Sequence, residues 1–300
     1  MREVVTAPAS EPLGYLTQWT VPTEEFLWAD SISAICLMFG EQIQDEVGVP
    51  IGLIDSSWGG TNIEAWMPPE ALAECGVTDS GWGDGPNHNE YLWNAMVHPF
   101  TRMAIKGALW YQGENNAGYE DTDYRGHNRE MYGCNFAGLI RSWRRHWAEN
   151  LQEDEVSPFP FGFVQLGPYT NQTTHLAWPQ LRWMQTKVAK EVENVFMSAA
   201  VDDDFDLHPK NKRLPASRLA WAAANQVYGL QERPGAGPEV TSVVWSNDTA
   251  MRGGRMMSSI MLKFSEYLAW SWVEEDTPFT PFSLCCLQTT EDCDQVGIGE

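Results

Sequence analysis

Between Val201 and Lys210 the chain sets four carboxylates, Asp202, Asp203, Asp204 and Asp206, within six residues of His208. A histidine that takes a proton from a hydroxyl near neutral pH needs a carboxylate to fix its tautomer and to stabilise the imidazolium that forms. The stretch therefore reads as the acid and base arm of a hydrolytic site; a calcium loop or a solvated acidic turn is the plainer alternative. Pro209 restricts the backbone of His208, which suits a base that must hold its place. His98 also precedes a proline, but it has no acidic residue within five positions on either side. Asp206 is the nearer acid and Asp204 the second, and spacing does not choose between them.

Three other clusters carry usable polar groups. Gly59 and Gly60 permit positive φ and close approach, so a backbone N–H there could donate to a developing oxyanion; a tight turn would need the same glycines. Gln112, Glu114, Asn115 and Asn116 crowd a second short stretch with amide donors and one carboxylate, as oxyanion or substrate contacts or as ties within the loop. Arg182 and Gln185, three apart on a helical stretch, share a face that could hydrogen-bond a sugar or a carboxylate, or hold a surface salt bridge. The nucleophile is the weak point. Ser56 and Ser57 precede the glycine pair, with Ser57 the candidate, but the chain has no Gly-x-Ser-x-Gly elbow.

The elements that must position these groups follow an α/β grammar. Apolar residues recur at helical spacing over residues 31–47, with Gly48 as a stop, and a nearly continuous apolar run at 49–55 reads as a buried parallel strand ending at the glycine pair. Residues 67–90, rich in Pro, Gly, Asp and Asn, read as a long surface excursion bordering the site. A second strand is expected at 105–111, ending at Gln112, then a helix at 134–147 with Arg141, Arg144 and Arg145 away from its apolar face. A third strand at 161–166, a helix at 178–192 with Pro179 in its first turn, a fourth strand at 193–201 and an alanine-rich helix at 215–228 complete the pattern. Strand, polar loop and helix in repetition imply a parallel sheet whose ligand crevice lies at the strand carboxyl ends. Residues 1–30 read as an irregular lead-in, 31–233 as the main domain, and 234–300 as a short β-rich segment.

Composition narrows the function. Nineteen basic against forty-one acidic residues leave a net charge of −22, which disfavours nucleic acid and anionic membranes. Fifteen tryptophans hint at sugar rings packed on flat aromatic faces, although core tryptophans account for most such excesses. There is no apolar run long enough to span a membrane, and the first twelve residues lack the apolar stretch of a secretory signal. Six cysteines without a C-x-x-C pair make a metal site unexpected; disulfides would fit an oxidising compartment, as would the sequons at Asn171 and Asn247.

Five ordered blocks are specific enough to carry a resemblance: Ile51-Gly-Leu-Ile-Asp-Ser-Ser-Trp-Gly-Gly-Thr-Asn-Ile-Glu-Ala-Trp66, Leu92-Trp-Asn-Ala-Met-Val-His-Pro99, Trp110-Tyr-Gln-Gly-Glu-Asn-Asn116, Pro179-Gln-Leu-Arg-Trp-Met-Gln185 and His208-Pro-Lys-Asn-Lys212. Together they resemble the sialate O-acetylesterase family of SGNH-like carbohydrate esterases, and Cys285, Cys286 and Cys293 are similar to that family's C-terminal part. The resemblance implies a flavodoxin-like SGNH hydrolase three-layer α/β sandwich, with the β-rich segment as a C-terminal appendage. It implies removal of acetyl groups from sialic acid hydroxyls by acyl transfer without a cofactor, in a lysosomal or secreted glycoprotein acting on O-acetylated sialoglycoconjugates. On this resemblance His208 is the base, Asp206 its acid with Asp204 behind it, Gly59 or Gly60 the oxyanion-loop glycine, and Asn115 or Gln112 the oxyanion amide. The family's nucleophile sits in a Gly-Gln-Ser-Asn block that these 300 residues do not contain. The chain is thus expected to lack the nucleophile strand and to be impaired as an esterase, and carbohydrate binding without turnover is the alternative.

Overall fold

The computed structural model describes residues 19, 21, 32–79, 81, 85–118, 129–152, 156, 158–167, 177–200, 206, 208–230, 240–252 and 255–264. Its centre is a three-stranded parallel sheet in the order β1 (Ala108–Trp110), β2 (Phe161–Gln165), β3 (Val195–Ala199), with Trp110 opposite Phe163 and Phe163 opposite Met197. Successive strand residues point to opposite faces. Phe161 and Phe163 therefore enter one core with helix α4 (Tyr132–Leu151) and helix α5 (Ala177–Glu191), through Phe136, Leu139, Ile140, Trp143 and Leu181. Val164 and Phe196 enter the other, against helix α1 (Ala34–Val47) and helix α6 (Arg213–Gln226), through Ile35, Ile43, Leu219 and Ala223. The result is the three-layer α/β/α arrangement. Gly162 has to be glycine, since a Cβ there would overlap the Phe196 ring.

Local chemistry sets the ends of these elements. Ser33 caps α1, its hydroxyl accepting from the Cys36 N–H at 3.4 Å, and Gly48 closes it at φ 68°, its N–H donating to Gln44 O at 2.8 Å. Near the chain's other end, β4 (Val240–Arg252) and β5 (Arg255–Phe264) form an antiparallel hairpin.

Three expectations change. The expected buried strand at 49–55 does not form: these residues are exposed or half-buried, Val49 at 52%, and join no ladder among the described residues, whose parallel sheet ends at β1. Residues 67–90 are more than a surface excursion: α2 (Pro69–Glu74) buries Ala71 and Leu72, and the Cys75–Cys134 disulfide ties its end to α4. Arg144, on α4, is buried rather than solvated. Its guanidinium donates to the carbonyls of Phe159, Glu193 and Asn194 at 2.7–3.1 Å, closing the turns that lead into β2 and β3. Cys285, Cys286, Cys293 and the sequon at Asn171 lie outside the described residues.

Candidate active site

The carboxyl ends of the strands turn into loops that meet. After residues 51–54 come Asp55, Ser56 and Ser57, then Gly59 and Gly60, the latter at φ 73°, then buried Thr61 and Asn62 and a 3-10 turn at Ile63–Trp66. Asn87 clamps this loop from outside, accepting from Asn62 N–H at 2.8 Å and donating to Gly60 O at 3.0 Å. After β1, Gly113 takes φ 145° and opens the single turn α3 (Glu114–Ala117). A side chain at Gly113 would strike Leu181 and Leu166, so glycine lets this loop pack tightly on α5 and the end of β2.

Amide groups join the two loops. Gln112 Nε2 donates to Thr61 O at 3.0 Å and to Asn116 Oδ1 at 2.7 Å, and the same Asn116 oxygen accepts from Ile63 N–H at 2.9 Å. Both hydrogens of the Gln112 amide are thereby occupied. Asn115 Nδ2 donates to Asn62 Oδ1 at 2.7 Å, and the second of its two amide hydrogens has no partner among the described residues. Buried Asn116 is a tie within the wall, with Nδ2 donating to Glu64 Oε2 at 3.0 Å.

Glu64 is the residue that sequence reasoning passed over. It is fully buried, accepts from Asn116 and from Asn135 Nδ2 at 2.8 Å, and burial pushes its carboxyl up to about 7 while those two amides pull it down. An acidic residue inside an otherwise apolar Ile-Glu-Ala-Trp turn was the available signal. Gln185, read with Arg182 in the sequence as a candidate sugar or carboxylate contact, is bonded within the protein. Its Oε1 accepts from Leu166 N–H at 3.1 Å and its Nε2 donates to Gln112 O at 3.2 Å, stapling the loop after β1 to the loop after β2.

The base arm arrives from the loop after β3. Pro209 lies beside Gly167 at the end of β2, and Lys212 places its ammonium 5.3 Å from the centre of the Tyr111 ring. Burial raises the Glu114 carboxyl, and the nearby His208 and Lys212 charges draw it back down, so Glu114 and His208 belong to one electrostatic neighbourhood. Asp206 accepts from the backbone N–H of His208 at 3.2 Å. Asp204 lies outside the described residues, as do Asp202 and Asp203. Arg182 is half-buried on α5 next to Leu181, with no ion pair or side-chain hydrogen bond among the described residues, and burial lowers its pKa. Ser57 donates its hydroxyl to Asp55 Oδ1 at 2.9 Å, so the structure gives it a carboxylate partner rather than the histidine.

Residues 7–215 match the family described as carbohydrate esterase, sialic acid-specific acetylesterase. The chain belongs to this family. Its relatives include the sialate O-acetylesterase of Homo sapiens, 38% identical over 241 residues covering 74% of this chain and 45% of that protein. The sialate O-acetylesterase of Mus musculus is 35% identical over 282 residues, covering 77% and 50%. Among solved structures, a carbohydrate acetylesterase from Xanthomonas citri superposes with a TM-score of 0.68 at 29% identity, covering 88% of this chain and 54% of that one. The chain spans about half the length of the curated relatives it matches. The region that matches the acetylesterase family contains all three converging loops.

Proposed function

We propose that this chain carries the base and the oxyanion-binding loops of a serine esterase that removes O-acetyl groups from sialic acids on glycoconjugates. His208 acts as general base and then general acid, and Asp206 or Asp204 orients it. Backbone N–H groups at Gly59 and Gly60 and the remaining hydrogen of Asn115 Nδ2 receive the oxyanion, while Gln112 and Asn116 hold the wall they project from. Glu114 and Arg182 face the substrate, Arg182 supplying the positive charge that a sialic acid carboxylate requires. The observation that carries this reading is the convergence of the glycine loop, the Asn115 loop and His208 at the carboxyl edge of the sheet. A lysosomal or secreted setting fits the Cys75–Cys134 bridge.

A serine esterase needs a hydroxyl within reach of His208, and Ser57, the candidate among the described residues, is turned to Asp55. The 300-residue chain is therefore expected to hydrolyse 4-nitrophenyl acetate and O-acetylated sialic acid no faster than its His208→Ala variant. Brisk hydrolysis that disappears in Ser57→Ala would overturn this and make Ser57 the nucleophile. Carbohydrate binding without turnover is the second reading, favoured by Trp183, 60% exposed on α5 with the Lys187 ammonium 6.0 Å from its ring centre. Saturable binding of an O-acetylated sialoside, with its acetyl content unchanged after long incubation, would select that reading.

A further inference from the structure

The first turn of α4 supports both loops of the candidate site. Tyr132, fully buried, donates its hydroxyl to Gln112 O at 3.1 Å, and Asn135, also fully buried, donates Nδ2 to Glu64 Oε1 at 2.8 Å. Gln112 in turn reaches Thr61 O beside the glycine pair, and Glu64 holds Asn116 in the loop after β1. Between Tyr132 and Asn135 stands Cys134, bonded to Cys75 at the end of α2. The bridge thus clamps the turn from which both supports project.

The bridge is also placed where it can be opened. Cys134 is exposed and Cys75 half-buried, so a dithiol reaches the bond in the folded protein, and exposed disulfides are the labile ones. Cys134 lies in the first turn of α4, where the N–H groups and dipole of a helix stabilise a departing thiolate. Cys75 caps the carboxyl end of α2 beside Glu74, where negative charge is disfavoured. The other end of the α2–α4 contact has its own ties: His146 Nε2 lies 2.7 Å and Arg145 Nη2 3.8 Å from Glu70 Oε1, and Arg145 Nη2 lies 3.4 Å from Glu74 Oε1. Loss of the bridge therefore frees the start of α4, while α2 stays docked through those ties and through buried Ala71 and Leu72.

We infer that the Cys75–Cys134 bridge is a redox-controlled positioning device: oxidised, it holds Tyr132 and Asn135 against the two loops, and reduction by a dithiol lets them go. The chemistry is thiol–disulfide exchange. A thiolate of the dithiol attacks the Cys75 sulfur, the S–S bond breaks, and its electron pair leaves on the Cys134 sulfur. The second thiolate of the dithiol then attacks the mixed disulfide and expels Cys75. The dithiol is oxidised by two electrons to its own disulfide, the bridge is reduced by two, and the two protons the dithiol gives up end on the two cysteines. Once released, Tyr132 and Asn135 no longer fix Gln112 and Glu64, and the Gly59–Gly60 N–H groups and the Asn115 amide lose their common register. The consequence for oxyanion binding rests on the proposed esterase reading; the release of the loops does not.

The test follows the full chain, isotopically labelled at glycine and glutamine, by NMR. Dithiothreitol without denaturant is expected to open the bridge, shown by alkylation of both Cys75 and Cys134. It should shift the Gly60 and Gly113 amide signals and the Gln112 side-chain amide while Gly162, inside β2, stays in place, and reoxidation should restore the starting positions. The double change Cys75→Ser with Cys134→Ser should show the shifted positions without reductant. Dithiothreitol should then move them no further, which separates this bridge from the chain's other cysteines. A bridge that resists reduction until urea is added, or loop signals that stay put, would overturn the inference. So would a shift at Gly162 as large as that at Gly60, which marks general loosening, or a further shift of the double variant in dithiothreitol. Every signal is read without substrate, so failure here leaves the esterase reading to its own hydrolysis assays, and failure of those leaves the redox device standing.

Discussion

Replacing Glu64 by glutamine isolates the cost of a buried carboxyl in the loop wall. The ordinary value of a glutamate is 4.5, and in the fold burial raises Glu64 to about 7. Below the lower value both folded and unfolded chains carry the proton and the group costs nothing. As pH rises past it, the unfolded carboxyl ionises while the folded one stays neutral, so stability is lost progressively until ionisation in the fold is complete above about 7. At about 1.4 kcal/mol per pH unit, the full loss is about 3 kcal/mol, and between pH 5 and pH 8 about 2–3 kcal/mol. Glutamine has the same shape and no charge, and the site can receive it. Asn116 continues to donate to the amide oxygen, and Asn135, whose buried Oδ1 has no hydrogen-bond partner among the described residues, turns its amide to accept from the new NH2 group. Urea unfolding of the wild-type protein and Glu64→Gln at pH 5 and pH 8 provides the measurement. The variant should gain about 2–3 kcal/mol on the wild type between the two pH values. Parallel pH dependence in the two proteins would refute the placement of Glu64 as a desolvated carboxyl.

Other perturbations probe the supports of the same site. Gln185→Ala removes the bridge between Leu166 N–H and Gln112 O and strands both groups; a loss of about 2–4 kcal/mol in urea unfolding is expected, and a loss below 1 kcal/mol would show that the loops hold without it. Reducing the Cys75–Cys134 bridge, or the double change Cys75→Ser with Cys134→Ser, releases a loop with a sequence separation of 59, and the chain-entropy relation gives a loss of about 4 kcal/mol. An unchanged unfolding midpoint in reductant would contradict it. Arg144→Met leaves three carbonyls without their donor and should cost about 3 kcal/mol or more, with Arg144→Lys recovering only a fraction, because one ammonium cannot span the fork. Full recovery by lysine would mean that charge, rather than the planar fork, matters there.

What the sequence disclosed tracks the range of the interactions involved. Helical periodicity is local, and α1, α4, α5 and α6 start and stop close to where spacing and Gly48 place them. The run at 49–55, expected as a buried strand, is at most half-buried, with Val49 52% exposed, and it joins no ladder among the described residues, because an apolar run does not by itself supply the neighbour that buries and pairs a strand. In the 67–90 stretch, turn-rich composition concealed Ala71 and Leu72, whose burial depends on α4 and on a disulfide partner 59 residues away. The polar site set was likewise legible as a group, while individual duties were not. Gln112 is consumed by Thr61, 51 residues distant, and Glu64 by Asn135, 71 residues distant.

The acid beside His208 makes the same point at the shortest range. Asp206 is the nearest described carboxylate in sequence, yet its oxygen accepts from the His208 main chain two residues on, the local closure that aspartate makes readily in turns. That contact sets the loop's course and is satisfied equally by an asparagine oxygen, whereas orienting an imidazolium requires charge. Asp206→Asn therefore separates the two duties. If Asp206 only shapes the loop, the NMR signals of the His208 ring nitrogens, which report its tautomer, are unmoved; if its charge acts on the ring, they shift in the variant. A shift would assign Asp206 to the triad, and unmoved signals would pass that role to Asp204.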